Sequence, residues 1–304
     1  MRILVTGSHG LIGSALIPLL ASRGHHIVRV VRGDPGSTPD QIPWDPEAGT
    51  LDGARLDGAD AVIHLAGENI AAGRWTAARK GRIRRSRVDS TRLLAETLGR
   101  LRRRPTVLIT ASAVGYYGDR GDEILVEDSA PGGGFLATLC RDWEAAADPA
   151  RASGIRVVHL RTGMVLSRTG GPLAPLLPIF RAGLGGVLGN GRQFMSWIGL
   201  DDEVEAIHHA LTHDAVAGPV NLVSPHPVTN REFTATLGRV LRRPTLLAVP
   251  AAALRLALGE LAGEILSSAR AYPARLLATG YAFHCPDLEG ALRHLQGRRS
   301  GCAN

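Results

Sequence analysis

Ile3-Leu4-Val5-Thr6-Gly7-Ser8-His9-Gly10-Leu11-Ile12-Gly13 is the stretch that decides the fold. Three consecutive apolar residues make a short strand, and glycines at 7, 10 and 13 form a G-x-x-G-x-x-G turn. Leu11, Ile12, Ala15, Leu16, Leu19 and Leu20 then recur at helical spacing. In a strand, glycine turn and helix of this kind, backbone N–H groups approach a pyrophosphate without Cβ obstruction, at the positive end of the helix dipole. Gly7, Gly10, Leu11, Ile12 and Gly13 are therefore candidate dinucleotide contacts. Gly24 can end the helix, and His26 to Val31 reads as a second strand.

The residue closing that second strand selects the cofactor, because an Asp or Glu there accepts from a ribose 2′-hydroxyl whereas an Arg pairs with a 2′-phosphate. Arg32 stands there, nineteen positions after Gly13, and Asp34 follows in a Gly-Asp-Pro-Gly turn. NADP(H) is expected in preference to NAD(H).

Further on, Ala61 to Gly67, Val107 to Ser112 and Ile155 to Leu160 are apolar runs of the parallel-strand type, separated by helical segments. Strands alternating with helices imply an α/β fold: a Rossmann-type doubly wound parallel sheet. His64 is expected to pack or hydrogen-bond at the sheet edge. Leu246 to Leu266 reads as a buried or amphipathic helix, because Pro250, Arg255, Glu260 and Glu264 interrupt it.

The chain has 304 residues, 44% of them hydrophobic and 21% charged, with a net charge of +7, which fits a folded globular protein and excludes wholesale disorder. Much of the positive charge lies in Arg74 to Arg104, where Ile83, Leu93, Leu94, Leu98 and Leu101 keep helical spacing. A solvated basic helix face is expected, with attraction of a phosphorylated ligand as the alternative. Aromatic residues make up only 4% of the chain, so nucleic acid is not an expected partner. A small-molecule substrate is expected, with no membrane partner and with a homodimer left open. The start runs directly into a strand without a secretory leader, so a cytoplasmic location is expected. Cys140, Cys285 and Cys302 are few, scattered and odd in number, which suggests neither a disulfide framework nor a metal knuckle and fits a reducing compartment. Glu205, His209 and His213 share a helix face, but without a further ligand no metal site is expected. Asp202 and Glu205 resemble a capping pair.

Together, Thr6 to Gly13, His64-Leu65-Ala66-Gly67-Glu68-Asn69-Ile70, Ser86-Arg87-Val88-Asp89-Ser90-Thr91 and Ala111 to Gly118 resemble the atypical branch of the extended short-chain dehydrogenases/reductases. That branch comprises the NAD-dependent epimerase or sugar-nucleotide epimerase-like proteins. Trp143-Glu144, Leu160-Arg161-Thr162-Gly163, Trp197 to Asp202 and a tail from about Asn221 extend the resemblance over nearly the whole chain. The resemblance implies that the glycine loop holds pyrophosphate, that Leu65, Ala66 and Gly67 line the adenine side, and that the tail forms a smaller C-terminal substrate lobe that helps enclose a substrate, with a dinucleotide domain over 1–220, a small domain over 221–304 and a contribution to the lobe from about 168–198. Arg87 stands where an Asn is usual, and a contact with cofactor phosphate or ribose is expected of it. Trp75 and Trp197 are candidates either for lining the substrate pocket or for the core.

One departure bears on chemistry. The wider superfamily uses Ser with a Tyr-x-x-x-Lys pair, in which Lys lowers the pKa of the Tyr that exchanges a proton with substrate. Lys80 is the only lysine in this sequence, and Leu136 and Cys140 occupy the positions of the pair. Ser112 remains, as a group that can bind a substrate oxygen. Tyr116 and Tyr117, with Arg120 nearby to depress a phenol pKa, are the leading alternative acids; Cys140 is a weaker one. The sequence thus supports an NADP(H)-binding oxidoreductase or epimerase-like protein on an unknown hydroxylated or carbonyl substrate, or else a non-catalytic NADP(H) sensor or scaffold.

Overall fold

Alternate residues of the central strands are buried on opposite faces, as a period of two requires of a sheet covered on both sides. Ile3, Val5, Ile63 and Ile109 pack with Leu16 and Leu20 of helix Leu11–Ser22 and with Ile207 and Ala210 of helix Leu200–Thr212. Leu4, Val62 and Leu108 face the other way, onto Leu94, Ala95 and Leu98 of the basic helix Ala77–Gly99. The computed structural model describes residues 1–33, 38, 40–297 and 302, so Asp34 and most of its turn lie outside the described residues.

The main sheet has eight strands, in the order Gly218–Leu222, Arg156–Thr162, Val107–Ala113, Ala61–His64, Arg2–Thr6, His26–Arg32, Gln41–Asp45 and Thr50–Leu51. All neighbours are parallel except the final pair, which is an antiparallel ribbon. The chain begins in the middle of the sheet, builds outward to one side, then crosses back to build the other. The reversal falls between Arg2–Thr6 and Ala61–His64, and the crevice at the carboxyl ends of such a pair is where this class of sheet binds ligands.

Beyond the sheet, Leu166, Leu173, Phe180, Trp197, Phe233, Leu237, Leu288 and Leu292 form a separate core. Three sequence expectations change here. Leu246 to Leu266 is not one helix: Leu247–Val249 pairs as a strand with Gly186–Leu188, and Gly259, at φ +62°, separates the helices Ala251–Leu258 and Leu261–Leu266. Helix Ala251–Leu258 has no buried residue. Asp202 does not cap its helix, which starts at Leu200; its carboxylate instead accepts the Tyr281 hydroxyl and the backbone N–H groups of His284 and Cys285. Cys285 and Cys302 are joined as a disulfide, which the few, scattered cysteines did not suggest, because the fold returns two cysteines 17 positions apart to a Cα separation of 4.6 Å. No helix among the described residues is long and apolar enough to cross a membrane.

Two histidines are buried in the sheet. His64 Nδ1 pairs with the Thr6 hydroxyl at 2.7 Å, and His159 pairs with the Thr110 hydroxyl while accepting from Arg151 Nη2. Burial pushes both down to about 4, so both are neutral in the folded protein at physiological pH. A depressed histidine pKa favours the folded state above the unfolded value of about 6.5, and the benefit is lost as pH falls toward 4. Urea unfolding measured against pH should therefore show stability dropping between pH 6.5 and 4 by about 3 kcal/mol per histidine. The drop should be roughly halved in His64→Asn.

Candidate functional site

At the switch point the strand Arg2–Thr6 ends in Gly7, whose φ is +67°. A Cβ on Gly7 would lie 2.6 Å from the Leu65 carbonyl carbon, and one on Gly13 would collide with the Gly7 carbonyl oxygen. The turn can thus close under the helix only with glycine at both positions. The Thr6 hydroxyl accepts the Ala66 N–H at 3.2 Å and ties the loop after strand Ala61–His64 to the glycine turn. Together they floor a cleft of about 980 Å³ lined by Gly7, Gly10, Arg32, Leu65, Ala66 and Gly67. Leu11, Ile12 and Gly13 start the helix behind the turn, whose N-terminus at Gly10 has no side-chain cap. Open N–H groups, absent Cβ atoms and this volume suit an extended dinucleotide.

The basic helix does more than present a solvated face, because Arg82, Arg85, Ser86 and Asp89 form a wall of the same cleft. Glu68 tempers this charge, at 3.5 Å from Arg82 and 3.9 Å from Arg79. Arg87 is further in. Its guanidinium lies 5.1 Å from the Trp143 ring, and a Cβ on Gly67 would stand 3.2 Å from its Cζ. Burial lowers the pKa of Arg87, with Cys140 and Glu68 opposing.

Ser112, near the carboxyl end of strand Val107–Ala113, donates to Glu144 Oε1 at 2.7 Å. Glu144 comes from helix Phe135–Ala145 and is gripped by Arg161 through Nε to Oε1 at 2.8 Å and Nη2 to Oε2 at 2.9 Å. The side chains of this fork-to-fork pair are only 3% and 12% exposed. Arg161 also donates to the Tyr117 hydroxyl and the Glu127 carbonyl, and its guanidinium stacks 3.5 Å from the centre of the Tyr116 ring. Burial opposes the Arg161 charge, but its hydrogen bonds to the Glu144 carboxylate and the attraction between the two charges keep the proton on the guanidinium and raise its pKa.

The two tyrosines therefore differ. Tyr117 is fully buried, donates to Asn221 Oδ1 at 2.7 Å, and is pushed up to about 12 by burial. Its hydroxyl is a structural group, and the expectation of Tyr117 as a proton donor gives way to that burial. Tyr116 is only half-buried, and among the described residues its hydroxyl makes no protein hydrogen bond. Arg120, expected to act on the phenols, instead pairs with Glu123 through Nη2 at 2.6 Å. Cys140 is buried and its thiol is pushed up to about 12 by burial, which excludes it as a base near neutrality. Trp75 and Trp197 are both buried in cores, not pocket walls.

Glu144 and Arg161 both lie in the motifs that carry the family resemblance, but their pairing is not written there, since only the fold brings positions 17 apart into one pair. A glutamate one residue after Trp143 on an amphipathic helix, and an arginine within an apolar strand, were the available signals.

Residues 3–223 match the NAD dependent epimerase/dehydratase family, and residues 249–295 match a Domain of unknown function (DUF1731). Epimerase family protein MT2273 of Mycobacterium tuberculosis is 46% identical over 295 residues, spanning 97% of each chain. The crystal structure of human epimerase family protein SDR39U1 (isoform 2) with NADPH superposes with a TM-score of 0.88 at 35% identity, covering 98% of this chain and 99% of that one. That of the nucleoside-diphosphate sugar epimerase from Corynebacterium glutamicum gives 0.82 at 37%, covering 99% and 59%.

Removing one partner of the Glu144–Arg161 pair strands the other charge in the interior. Arg161→Leu should cost about 3–5 kcal/mol in urea unfolding, far more than the same change at the exposed Arg100.

Proposed function

The chain belongs to the NAD dependent epimerase/dehydratase family, and from that premise we propose that it binds NADP(H) and acts as an oxidoreductase or epimerase-like enzyme on a small hydroxylated substrate. The observation that carries the cofactor is the glycine-floored cleft with Arg32 at its strand end and Arg82 and Arg85 on its wall. Gly7, Gly10 and Gly13 with the helix N-terminus would hold the pyrophosphate, Leu65 to Gly67 the adenosine side, and Arg32 a 2′-phosphate. NADPH in the human relative supports this choice. When bound, the nicotinamide supplies hydride exchange.

The protein's own residues supply orientation and the proton. Ser112 spends its hydrogen on Glu144, so toward a substrate it can only accept, which favours a substrate hydroxyl as the donor. The Tyr116 phenol, its ring held against Arg161, is the group with a hydroxyl left to pass a proton. Arg87, with its guanidinium beside Gly67 and 5.1 Å from the Trp143 ring, offers a cation next to the dinucleotide cleft. A second reading, a non-catalytic NADP(H) sensor, draws on the replacement of the Tyr-x-x-x-Lys pair by Leu136 and Cys140 and on the inertness of that thiol.

Calorimetric titration of cofactor-stripped protein should show NADPH preferred over NADH, and Arg32→Ala should reduce that preference by about tenfold or more. Equal affinities for the two cofactors would remove the assignment of Arg32. In a screen of carbonyl and alcohol substrates with NADP(H), Tyr116→Phe should lower kcat by roughly 10²–10⁴-fold, whereas Tyr117→Phe should act mainly on stability. Tight cofactor binding without turnover across the screen would favour the sensor.

A further inference from the structure

Away from the dinucleotide cleft, the last helix, Leu288–Leu295, folds back against the start of helix Leu200–Thr212. There the Sγ atoms of Cys285 and Cys302 and a ring nitrogen of His294 all lie within 4.8 Å of one another. The geometry points to a zinc-type site, made by Cys285, His294 and Cys302 when the two cysteines are reduced, and abolished when they form their disulfide.

Two of the three ligands are placed by contacts that do not depend on the disulfide. The backbone of Cys285 is pinned by Asp202, which accepts the N–H of His284 at 2.7 Å and of Cys285 at 3.0 Å. His294 sits in the final turn of its helix, whose N-cap is Asp287, and its Nε2 is held by Asp201 Oδ2 at 2.9 Å. A carboxylate hydrogen-bonded to an imidazole fixes the ring's orientation, as in carboxylate–histidine–zinc triads. Asp201 is therefore a positioning residue. Tetrahedral zinc with bonds of about 2.3 Å to sulfur and about 2.0 Å to nitrogen spaces its ligands by roughly 3.5 Å, a spread the three atoms reach once the sulfurs part. Two thiolates and an imidazole select a borderline-soft cation over magnesium or calcium. A cavity of about 400 Å³, lined by Asp201, Cys285, His294 and Cys302, leaves access and room for a water as fourth ligand.

The two states exclude each other chemically. A dithiol reductant delivers two electrons and two protons to the Cys285–Cys302 bond, giving two thiols and an oxidised dithiol. Binding of the divalent cation then releases the two thiol protons. In the oxidised chain no thiolate is available at this place, since Cys140 is buried elsewhere.

The test uses tag-free full-length chain, reduced with a phosphine that is then removed, and titrated anaerobically with Co²⁺. One cobalt per chain should bind with sulfur-to-cobalt charge-transfer absorption, be displaced by zinc, and be absent from the oxidised chain. Cys140→Ser should leave the band unchanged, and Cys285→Ser and Cys302→Ser should each diminish it. Asp201→Asn, an exposed change that spares the core, should weaken affinity by roughly 10–100-fold. No charge-transfer band in folded, reduced protein, or a band that survives the double Cys285→Ser/Cys302→Ser change, overturns the assignment. NADPH affinity, measured on the same samples, reports separately on the cofactor cleft.

Discussion

The buried pair of Glu144 and Arg161 is the constraint on which the candidate active site depends. Neither charge could stay in the interior alone, and together they satisfy each other through two parallel hydrogen bonds. Everything near them takes its role from that pair. Ser112 becomes an acceptor because Glu144 takes its hydrogen, Tyr117 becomes a strut because Arg161 and Asn221 share its oxygen, and Tyr116 becomes a ring clamped by a cation. Where the wider superfamily places a mobile proton on Tyr and Lys, this chain places a locked ion pair beside a leucine and an inert thiol.

The sheet and the cleft were legible in the sequence because their signals are local. Ile3 to Gly13 holds strand, turn and helix within one short span, and the steric need for glycine at 7 and 13 shows in the residues themselves. Arg32 and Leu65 to Gly67 could be placed for the same reason, since each sits at a strand end. What could not be read depends on the burial of single side chains. Tyr116 and Tyr117 are adjacent and chemically identical, yet one hydroxyl points into Asn221 and the other does not, a difference set by residues 104 positions away. The Glu144–Arg161 pair was invisible for a related reason: an isolated charge in a helix or strand reads as a surface charge until a partner is known. The three cysteines misled because spacing along the chain carries no information about two that meet only after a helix doubles back.

The C-terminal segment has a core of its own and is also tied to the rest of the chain by polar contacts. Asp202, fully buried, takes three hydrogen bonds from Tyr281, His284 and Cys285, so one carboxylate stitches the last part of the chain to a helix of the main domain. On the opposite side, Lys80 reaches Glu260 at 2.6 Å and Arg74 reaches the Leu256 carbonyl at 3.0 Å, joining the basic helix to the segment that follows residue 250. The helix that walls the dinucleotide cleft is thus in contact, through the chain's single lysine, with the C-terminal segment.

The arginines of that wall also govern how quickly the cleft fills. A dinucleotide phosphate approaching Arg32, Arg82 and Arg85 meets a positive field, offset in part by Glu47, Glu68 and Asp89, in a concave cleft on a chain whose net charge is +7. Such a field speeds encounter long before contact, and ions in solution screen it over about 8–10 Å. Occupancy of the cleft is then set partly by arrival, so at equal nucleotide concentration the protein loads faster in dilute electrolyte than in concentrated salt.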